Sequence, residues 1–304
     1  VEDIHNMLKL LKSFGSKHQK KNNSIIINNR NLINISADYD IVRKMRASVL
    51  ILGPLLSRFG FSKISLPGGC AIGTRPIDIH LDGLSKLGAK FKIENGFIIG
   101  KVQNRLKGNK IKLSYPSVGA TENILMAAVL AEGETVIEQA AREPEVTDLA
   151  NCLNKAGADI KGIGTDNLII NGVTELNQVS HSVVSDRIEA GSFAIASSIT
   201  MGNVEINNIN PKNLTDFINV LKLTGSKVEI FENSMNVSCT QRPKTFNVDT
   251  NPYPGFPTDL QAQIMVLLCK ANRKSQIKED IFENRFMHVA ELNRMGAKIY
   301  TKGN

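Results

Sequence analysis

The stretch Leu-Ser-Lys-Leu-Gly-Ala-Lys at residues 84–90 shows how the chain is organised. Its pattern is a leucine, two variable residues, an apolar or small residue, glycine, a small residue and then lysine or aspartate. The pattern occurs five times, about every 70 residues, at positions 11–17, 84–90, 153–159, 221–227 and 292–298. A fixed spacing of this kind indicates a repeated structural unit. Each glycine follows an amphipathic segment, so we expect it to end a helix in the left-handed conformation.

The same order of elements is predicted around each glycine. Two strands joined by a turn rich in Asn, Gly, Asp and Ser are expected at residues 24–28 and 32–36, 91–94 and 97–100, 160–162 and 167–171, and 227–231 and 235–238. A helix that is apolar on all sides, and therefore buried, follows at residues 45–59, 119–131, 188–201 and 258–269. With one more short strand and the amphipathic helix, each repeat is roughly a βαβαββ unit of an α/β fold.

The composition restricts the class of protein. The chain has 304 residues, enough for two ordinary domains, and it has no run of 18 uncharged apolar residues, so no membrane span is predicted. Its four cysteines are scattered without metal-ligand spacing, which argues against structural zinc and disulfides and favours a reducing cytoplasm. Cys152 and Cys269 lie in apolar helical patterns and are predicted to be in the core.

The net charge of +8 suggests an anionic partner, either nucleic acid or a phosphorylated small molecule. Nucleic acid is disfavoured because the chain has few aromatic residues, no Trp and mostly dispersed lysines. The one basic run, Lys-His-Gln-Lys-Lys at residues 17–21, is interpreted as a solvated turn.

The ends of the chain fall inside repeats. The sequence opens without Met in the helix before the first glycine, and it closes a few residues after the fifth glycine. We therefore expect both termini to be cut.

Residues 66–78, Leu-Pro-Gly-Gly-Cys-Ala-Ile-Gly-Thr-Arg-Pro-Ile-Asp, are the first candidate for chemistry. Three glycines between two prolines exclude a continuous helix or strand, so a loop is predicted. The loop carries Cys70 five residues before Arg75. A nearby positive charge favours the reactive thiolate, and the guanidinium suits phosphate or carboxylate. A surface loop with an incidental cysteine explains this stretch about equally well.

Polar residues also stand at the starts of three buried helices. Residues 115–123, Tyr-Pro-Ser-Val-Gly-Ala-Thr-Glu-Asn, suit either an anion site or, as the favoured reading, an ordinary helix cap. Arg46 begins a second buried helix, where a charge needs a partner or a ligand. Asp259 opens a third, where it either complements the helix dipole or, if it faces a cleft shared with Cys70, acts as a general base. No catalytic role is assigned to the isolated histidines, His80, His181 and His288.

Taken together, seven segments resemble the UDP-N-acetylglucosamine 1-carboxyvinyltransferase family of enolpyruvyl transferases. They are residues 45–48, 66–78, 116–123, 141–145, 186–189, 254–263 and 282–288. The Pro-Gly-Gly-Cys-x-Ile-Gly-x-Arg-Pro loop is highly specific, since the related shikimate-pathway enzyme has a similar fold without it. The resemblance implies a two-domain inside-out α/β barrel built from βαβαββ units and incomplete at both termini. Residues 1–184 would form the cysteine-loop domain and residues 185–304 the second domain, with the active site in the cleft between them.

The resemblance also implies the reaction and the site residues. In this family phosphoenolpyruvate donates its enolpyruvyl group to the 3′-hydroxyl of UDP-N-acetylglucosamine and releases phosphate, the first committed step of peptidoglycan synthesis. Cys70 would be the proton donor and the site of adducts with phosphoenolpyruvate and fosfomycin, Arg75 would contact phosphate, and Asp259 would be the base. The UDP-sugar site would be lined by Arg46, Arg75, Pro76, Ile77, Asp78, Ile79, Tyr115, Pro116, Ser117, Val118, Asp259 and Ile281. No metal or organic cofactor, nucleic acid or membrane is expected as a partner.

Some family features have no counterpart in this sequence. The family's N-terminal Lys-Asn pair and late Asp-Leu-Arg segment, which grip phosphoenolpyruvate, are missing, and each charge-assisted contact is worth about 1.5–3 kcal/mol. Tyr115 stands where some members carry lysine, so the resemblance implies that this chain would lack one phosphate contact. An inactive fragment that still binds the UDP-sugar is therefore an alternative, and a basic nucleic-acid-binding protein is a third hypothesis that rests on net charge alone.

Overall fold

The computed structural model describes residues 2–33, 36–37, 39–42, 45–66 and 77–303, with the backbone alone for Ile41 and Arg46. These residues form two compact units. The first holds the described residues up to 142 together with 146–181, and the second holds 143–145 and 182–303. Compact units are not the same as independent domains, so the predicted domain boundary between residues 184 and 185 stays a prediction.

The first unit begins with a helix and a hairpin, α1 (Glu2–Ser13), β1 (Lys17–Lys21) and β2 (Ser24–Asn28). Lys21 pairs with Ser24 across a two-residue turn in which Asn22 has φ +52°. Asn tolerates this conformation, and such turns match the strand twist. One prediction was therefore wrong, since residues 17–21 are a strand rather than a solvated turn. β2 pairs with that strand, and the second strand predicted at residues 32–36 lies partly outside the described residues. The strand lacked an apolar signal because all five of its residues are exposed.

Two complete βαβαββ repeats follow. The first contains β3 (Ser36–Ala37), α2 (Tyr39–Val42), a 3₁₀ helix (Arg46–Ile51), α3 (Leu52–Phe59), β4 (Phe61–Ser65), α4 (Asp78–Lys86), β5 (Lys90–Glu94) and β6 (Phe97–Lys101). The second contains β7 (Lys110–Lys112), α5 (Val118–Ala128), β8 (Glu134–Glu138), α6 (Pro144–Lys155), β9 (Asp159–Lys161) and β10 (Asn167–Asn171). Their sheets have the matching orders β3-β4-β6-β5 and β7-β8-β10-β9. In each sheet the first pair is parallel and the other pairs are antiparallel, which confirms the predicted repeat.

The second unit uses parts of the same plan. Its elements are α7 (Arg187–Ile199), β11 (Asn203–Asn207), a 3₁₀ helix (Pro211–Leu214), α8 (Thr215–Leu223), β12 (Lys227–Ile230), β13 (Ser234–Ser238), β14 (Val248–Asp249), a 3₁₀ helix (Thr258–Leu260), α9 (Gln261–Leu268), β15 (Ile277–Lys278) and α10 (His288–Arg294). The antiparallel sheet β11-β13-β12 corresponds to strands β4-β6-β5 of the first unit. The parallel pair β14-β15 corresponds to the parallel pair β3-β4.

The repeated glycines end their helices as predicted. Gly15, Gly88, Gly157, Gly225 and Gly296 have φ between +97° and +102°. At Gly88 the backbone amide donates to the carbonyl of Ser85, and the next amide, that of Ala89, donates to the carbonyl of Leu84. These bonds satisfy carbonyls that would otherwise be left unpaired at the helix end.

Each unit has its own apolar core, and the helices predicted to be buried, α3, α5, α7 and α9, contribute to these cores. The predicted burial of two cysteines was wrong. Cys269 is exposed because it follows the last helical residue of α9, and Cys152 is half-buried beside the buried stripe of the amphipathic helix α6. Within the described residues, no helix combines the length and the apolar character needed to cross a membrane.

Candidate functional site

Several predicted site residues lie outside the described part of the chain. Cys70, Arg75 and Pro76 are among them, as is the side chain of Arg46, and their roles stay predictions. The backbone of Arg46 opens the 3₁₀ helix Arg46–Ile51, which runs directly into α3.

The predicted residues around the start of α4 have different environments. Ile77 and Ile79 are half-buried and pack against the core of the first unit. Asp78, the first residue of the helix, is exposed, so its carboxylate is accessible to solvent. His80 is buried, with 5% of its surface exposed.

The start of α5 is capped by a predicted site residue. The Ser117 hydroxyl accepts a hydrogen bond from the Ala120 amide at 3.3 Å, and Thr121 Oγ1 donates to the Ser117 carbonyl at 2.8 Å. This confirms the helix-cap reading, while the anion site stays a prediction. Tyr115 precedes the cap with 37% of its surface exposed, and Pro116 and Val118 are half-buried.

A buried amide that sequence reasoning missed joins the elements carrying these residues. Asn123, in α5, accepts from the Gly53 amide at 2.7 Å and donates to the Val49 carbonyl at 3.0 Å. Its nitrogen also lies 3.1 Å from Nδ1 of His80. One side chain thereby holds the 3₁₀ helix of Arg46, α3 and α4 against the start of α5. A polar residue within an apolar helix was the available signal.

In the second unit the predicted base is held by an arginine. Nη2 of Arg285 donates to Oδ1 of Asp259 at 2.8 Å, and the guanidinium lies 5.5 Å from the centre of the Phe282 ring. The Arg285 side chain is 12% exposed and the Asp259 side chain 54% exposed. The carboxylate is therefore oriented by a nearly buried cation and remains open to a ligand. Arg285 lies in a segment that resembles the family, but its role as partner of Asp259 was not predicted.

The last predicted residue, Ile281, follows β15 and is half-buried. Its amide donates to Oε1 of Glu279 at 2.9 Å. Glu279 is completely buried, although a glutamate next to an aspartate in the sequence is typical of a solvated turn.

A second polar cluster in this unit surrounds the start of α7. Asp186 caps that helix by accepting from the amides of Ile188 and Glu189. Nε of Arg187 donates to Oε1 of Glu145 at 2.9 Å. Burial raises the pKa of the neighbouring Glu143 carboxyl, against the opposing effects of its own amide, the Tyr253 amide and Arg187.

Among the described residues, no three His, Cys, Asp or Glu side chains gather closely enough to hold a metal ion.

Comparison with known proteins identifies the family. The family described as EPSP synthase (3-phosphoshikimate 1-carboxyvinyltransferase) matches residues 1–304. The UDP-N-acetylglucosamine 1-carboxyvinyltransferase of Pelagibacter ubique is 52% identical over 304 residues, which are all of this chain and 73% of that protein. The enzyme of the same name from Geobacter metallireducens is 49% identical over 306 residues, again all of this chain and 73% of that protein.

A solved structure shows the same fold. The crystal structure of the enolpyruvyl transferase NikO from Streptomyces tendae has a TM-score of 0.86 and covers 98% of this chain and 72% of its own, at 19% identity. The shared fold confirms the enolpyruvyl transferase fold that the resemblance implies and with which the repeated βαβαββ units agree. The chain therefore belongs to the UDP-N-acetylglucosamine 1-carboxyvinyltransferase family and has the fold of an enolpyruvyl transferase.

Proposed function

We propose that this protein transfers the enolpyruvyl group of phosphoenolpyruvate to the 3′-hydroxyl of UDP-N-acetylglucosamine. The observation that supports this most directly is the exposed Asp259 carboxylate held by Arg285, in a chain that is 52% identical to a carboxyvinyltransferase of that name. A positioned carboxylate of this kind is suited to accept the proton of a sugar hydroxyl.

The proposed reaction has two steps. The 3′-oxygen bonds to C2 of phosphoenolpyruvate while C3 gains a proton from Cys70 and the hydroxyl proton goes to Asp259. The C2–O bond to phosphate then breaks, C3 returns a proton to the Cys70 thiolate, and Asp259 gives its proton to the departing phosphate, which leaves the enol ether and inorganic phosphate. Arg75 is assigned to the phosphate, because a guanidinium pairs well with its oxygens.

The remaining lining residues are assigned to the UDP-sugar. They are Arg46, Pro76, Ile77, Asp78, Ile79, Tyr115, Pro116, Ser117, Val118 and Ile281. The capped start of α5 places Ser117 and Val118 at a helix N-terminus, which favours negative charge such as a diphosphate. We also propose peptidoglycan synthesis in the cytoplasm as the setting and Cys70 as the site of a fosfomycin adduct.

The test is phosphate release from phosphoenolpyruvate in the presence of UDP-N-acetylglucosamine, with Cys70→Ala and Asp259→Asn as variants. We expect release that requires the sugar nucleotide and is lost in Cys70→Ala. No release from a folded protein that still binds the sugar nucleotide would overturn the proposal and favour the inactive-fragment alternative. Exposed Cys269→Ala is the matched control and should retain the activity.

A further inference from the structure

Glu279 is a completely buried carboxylate directly after β15. An ionised carboxylate is costly to bury unless its oxygens accept hydrogen bonds. Oε2 accepts from the Thr258 hydroxyl at 2.8 Å. Oε1 accepts from the amides of Ile281 at 2.9 Å and Phe282 at 3.1 Å. Both oxygens are thus used, each on a different segment of the second unit.

Both segments lead to the Asp259–Arg285 pair. Thr258 is the residue before Asp259, at the first position of the 3₁₀ helix that precedes α9. The N-cap of that helix is Pro257, whose side chain makes no capping hydrogen bond, so the Thr258–Glu279 bond is a side-chain anchor at this end. Phe282 lies three residues before Arg285, and its ring lies beneath the Arg285 guanidinium.

We propose that Glu279 is a positioning residue that sets the distance and direction between Asp259 and Arg285 by holding both segments with one carboxylate. The proposal deepens the proposed function and rests on it. Glu279 is buried and acts through the two segments that it holds, whereas Asp259 is the group that faces a ligand. If Glu279 had a purely structural role, it would stabilise the second unit without any specific effect on the geometry of the Asp259–Arg285 pair.

The chemistry of the contacts provides variants of graded severity. Glu279→Ala removes both anchors. Thr258→Val removes only the anchor beside Asp259. Glu279→Gln keeps the shape, because its carbonyl oxygen accepts from the two amides while its NH₂ group donates to a reoriented Thr258 hydroxyl. Ser197→Ala, which removes a buried hydroxyl bonded to the Val237 carbonyl elsewhere in the unit, controls for general destabilisation.

The kinetic test is a double-mutant cycle between Glu279 and Asp259, with phosphate release measured on the full chain. We expect Glu279→Ala to lower kcat for phosphate release by about 10–100-fold, the order of effect of a 1 Å misplacement in an active site. Glu279→Gln should recover most of that loss, and Ser197→Ala should leave kcat unchanged. In an Asp259→Asn background, Glu279→Ala should cost less than about threefold, because residues that act through one another are not additive. Full additivity would overturn the proposal.

A second measurement does not depend on activity. The guanidinium signals of Arg285 in ¹⁵N NMR, assigned with Arg285→Lys, report its bond to Asp259. We expect Glu279→Ala to shift these signals in the same direction as Asp259→Asn, and Glu279→Gln to leave them near their original position. Unchanged signals in Glu279→Ala would overturn the proposal even if the protein released no phosphate. Absence of phosphate release from the unmodified chain, with the signals shifting as expected, would overturn the proposed function alone.

Discussion

The side-chain nitrogen of Asn123 lies 3.1 Å from Nδ1 of His80, inside the core of the first unit. Because the same nitrogen also donates to the Val49 carbonyl, the amide is oriented with its oxygen towards the Gly53 amide. His80 Nδ1 is then the acceptor, which places the proton of the neutral ring on Nε2. Asn123 thus serves three partners at once, and its loss would affect the 3₁₀ helix of Arg46, α4 and α5, which carry proposed sugar-nucleotide residues of the first unit.

Replacement of Asn123 by alanine should destabilise the protein. The buried Gly53 amide loses its side-chain partner, and the Val49 carbonyl is left with the Leu52 amide, which together cost on the order of 3 kcal/mol of unfolding free energy. Urea unfolding measures this cost. The control is Asn171→Ala, which removes an exposed hydrogen bond to Asp159 and should cost less than about 0.5 kcal/mol. Equal losses in the two variants would show that the buried network contributes nothing.

A glycine beside this network should be equally sensitive. A Cβ on Gly53 would lie 2.3 Å from the carbonyl oxygen of Asn123, which is backbone, whereas a Cβ on Gly83 would lie 2.2 Å from the flexible end of Ile124. Both glycines are helical, so alanine gains the same helix propensity at each. We expect Gly53→Ala to cost about 3 kcal/mol or more and Gly83→Ala to cost clearly less. Thermal unfolding of the two variants compares them directly, and a smaller loss for Gly53→Ala would contradict the packing argument.

The repeats could be predicted from sequence because their signals are local. A glycine after an amphipathic helix needs no distant partner to end that helix, and the five φ values agree within a few degrees. Asn123 and Glu279 could not be placed in this way. Their burial depends on groups far away in the chain, such as Val49 and Thr258. At β1 the polar sequence predicted a solvated turn, whereas the segment is an exposed strand that pairs with β2.

The geometry of Arg285 should matter more than its charge. Arg285→Lys keeps the positive charge but loses the planar group that reaches Asp259 while lying over Phe282. We expect kcat for phosphate release to fall by about 10–100-fold, through a misplaced Asp259. Arg294→Lys is the matched control, since Arg294 pairs with Glu291 on the surface and its side chain is 78% exposed. An Arg285→Lys protein with full activity would show that charge alone suffices.

His288 should make the protein less stable in mild acid. Burial, with a further contribution from Arg285, lowers the pKa of His288 below 6.5, and its Nε2 atom is buried without a hydrogen-bond partner among the described residues. The unfolded chain therefore binds the proton more readily, so stability is full above the ordinary value and falls as the pH drops below 6.5. His288→Gln should remove this component from unfolding free energies measured between about pH 5 and about pH 8. The control is His18→Gln at an exposed histidine, which should leave the loss of stability in acid unchanged.

Glu143 should have the opposite effect. Burial raises its pKa above 4.5, so the folded protein holds the proton more tightly than the unfolded chain does. Stability is therefore greatest below the ordinary value of 4.5 and falls as the pH rises through the raised pKa. Above the raised pKa the half-buried carboxylate is ionised at a cost, and Glu143→Gln removes that cost while its carbonyl can still accept from the Tyr253 amide.

We expect Glu143→Gln to raise the unfolding free energy at neutral pH and to lose this advantage in acid. Its neighbour supplies the control, because Glu145→Gln breaks the ion pair with Arg187, whose side chain is only 10% exposed. That variant should be destabilised, since a nearly buried guanidinium loses its carboxylate. Urea unfolding of both variants across the acid range tests the pair. If Glu143→Gln is destabilised at neutral pH as Glu145→Gln is, the contacts with the Tyr253 amide and Arg187 outweigh the cost of burying the Glu143 carboxylate.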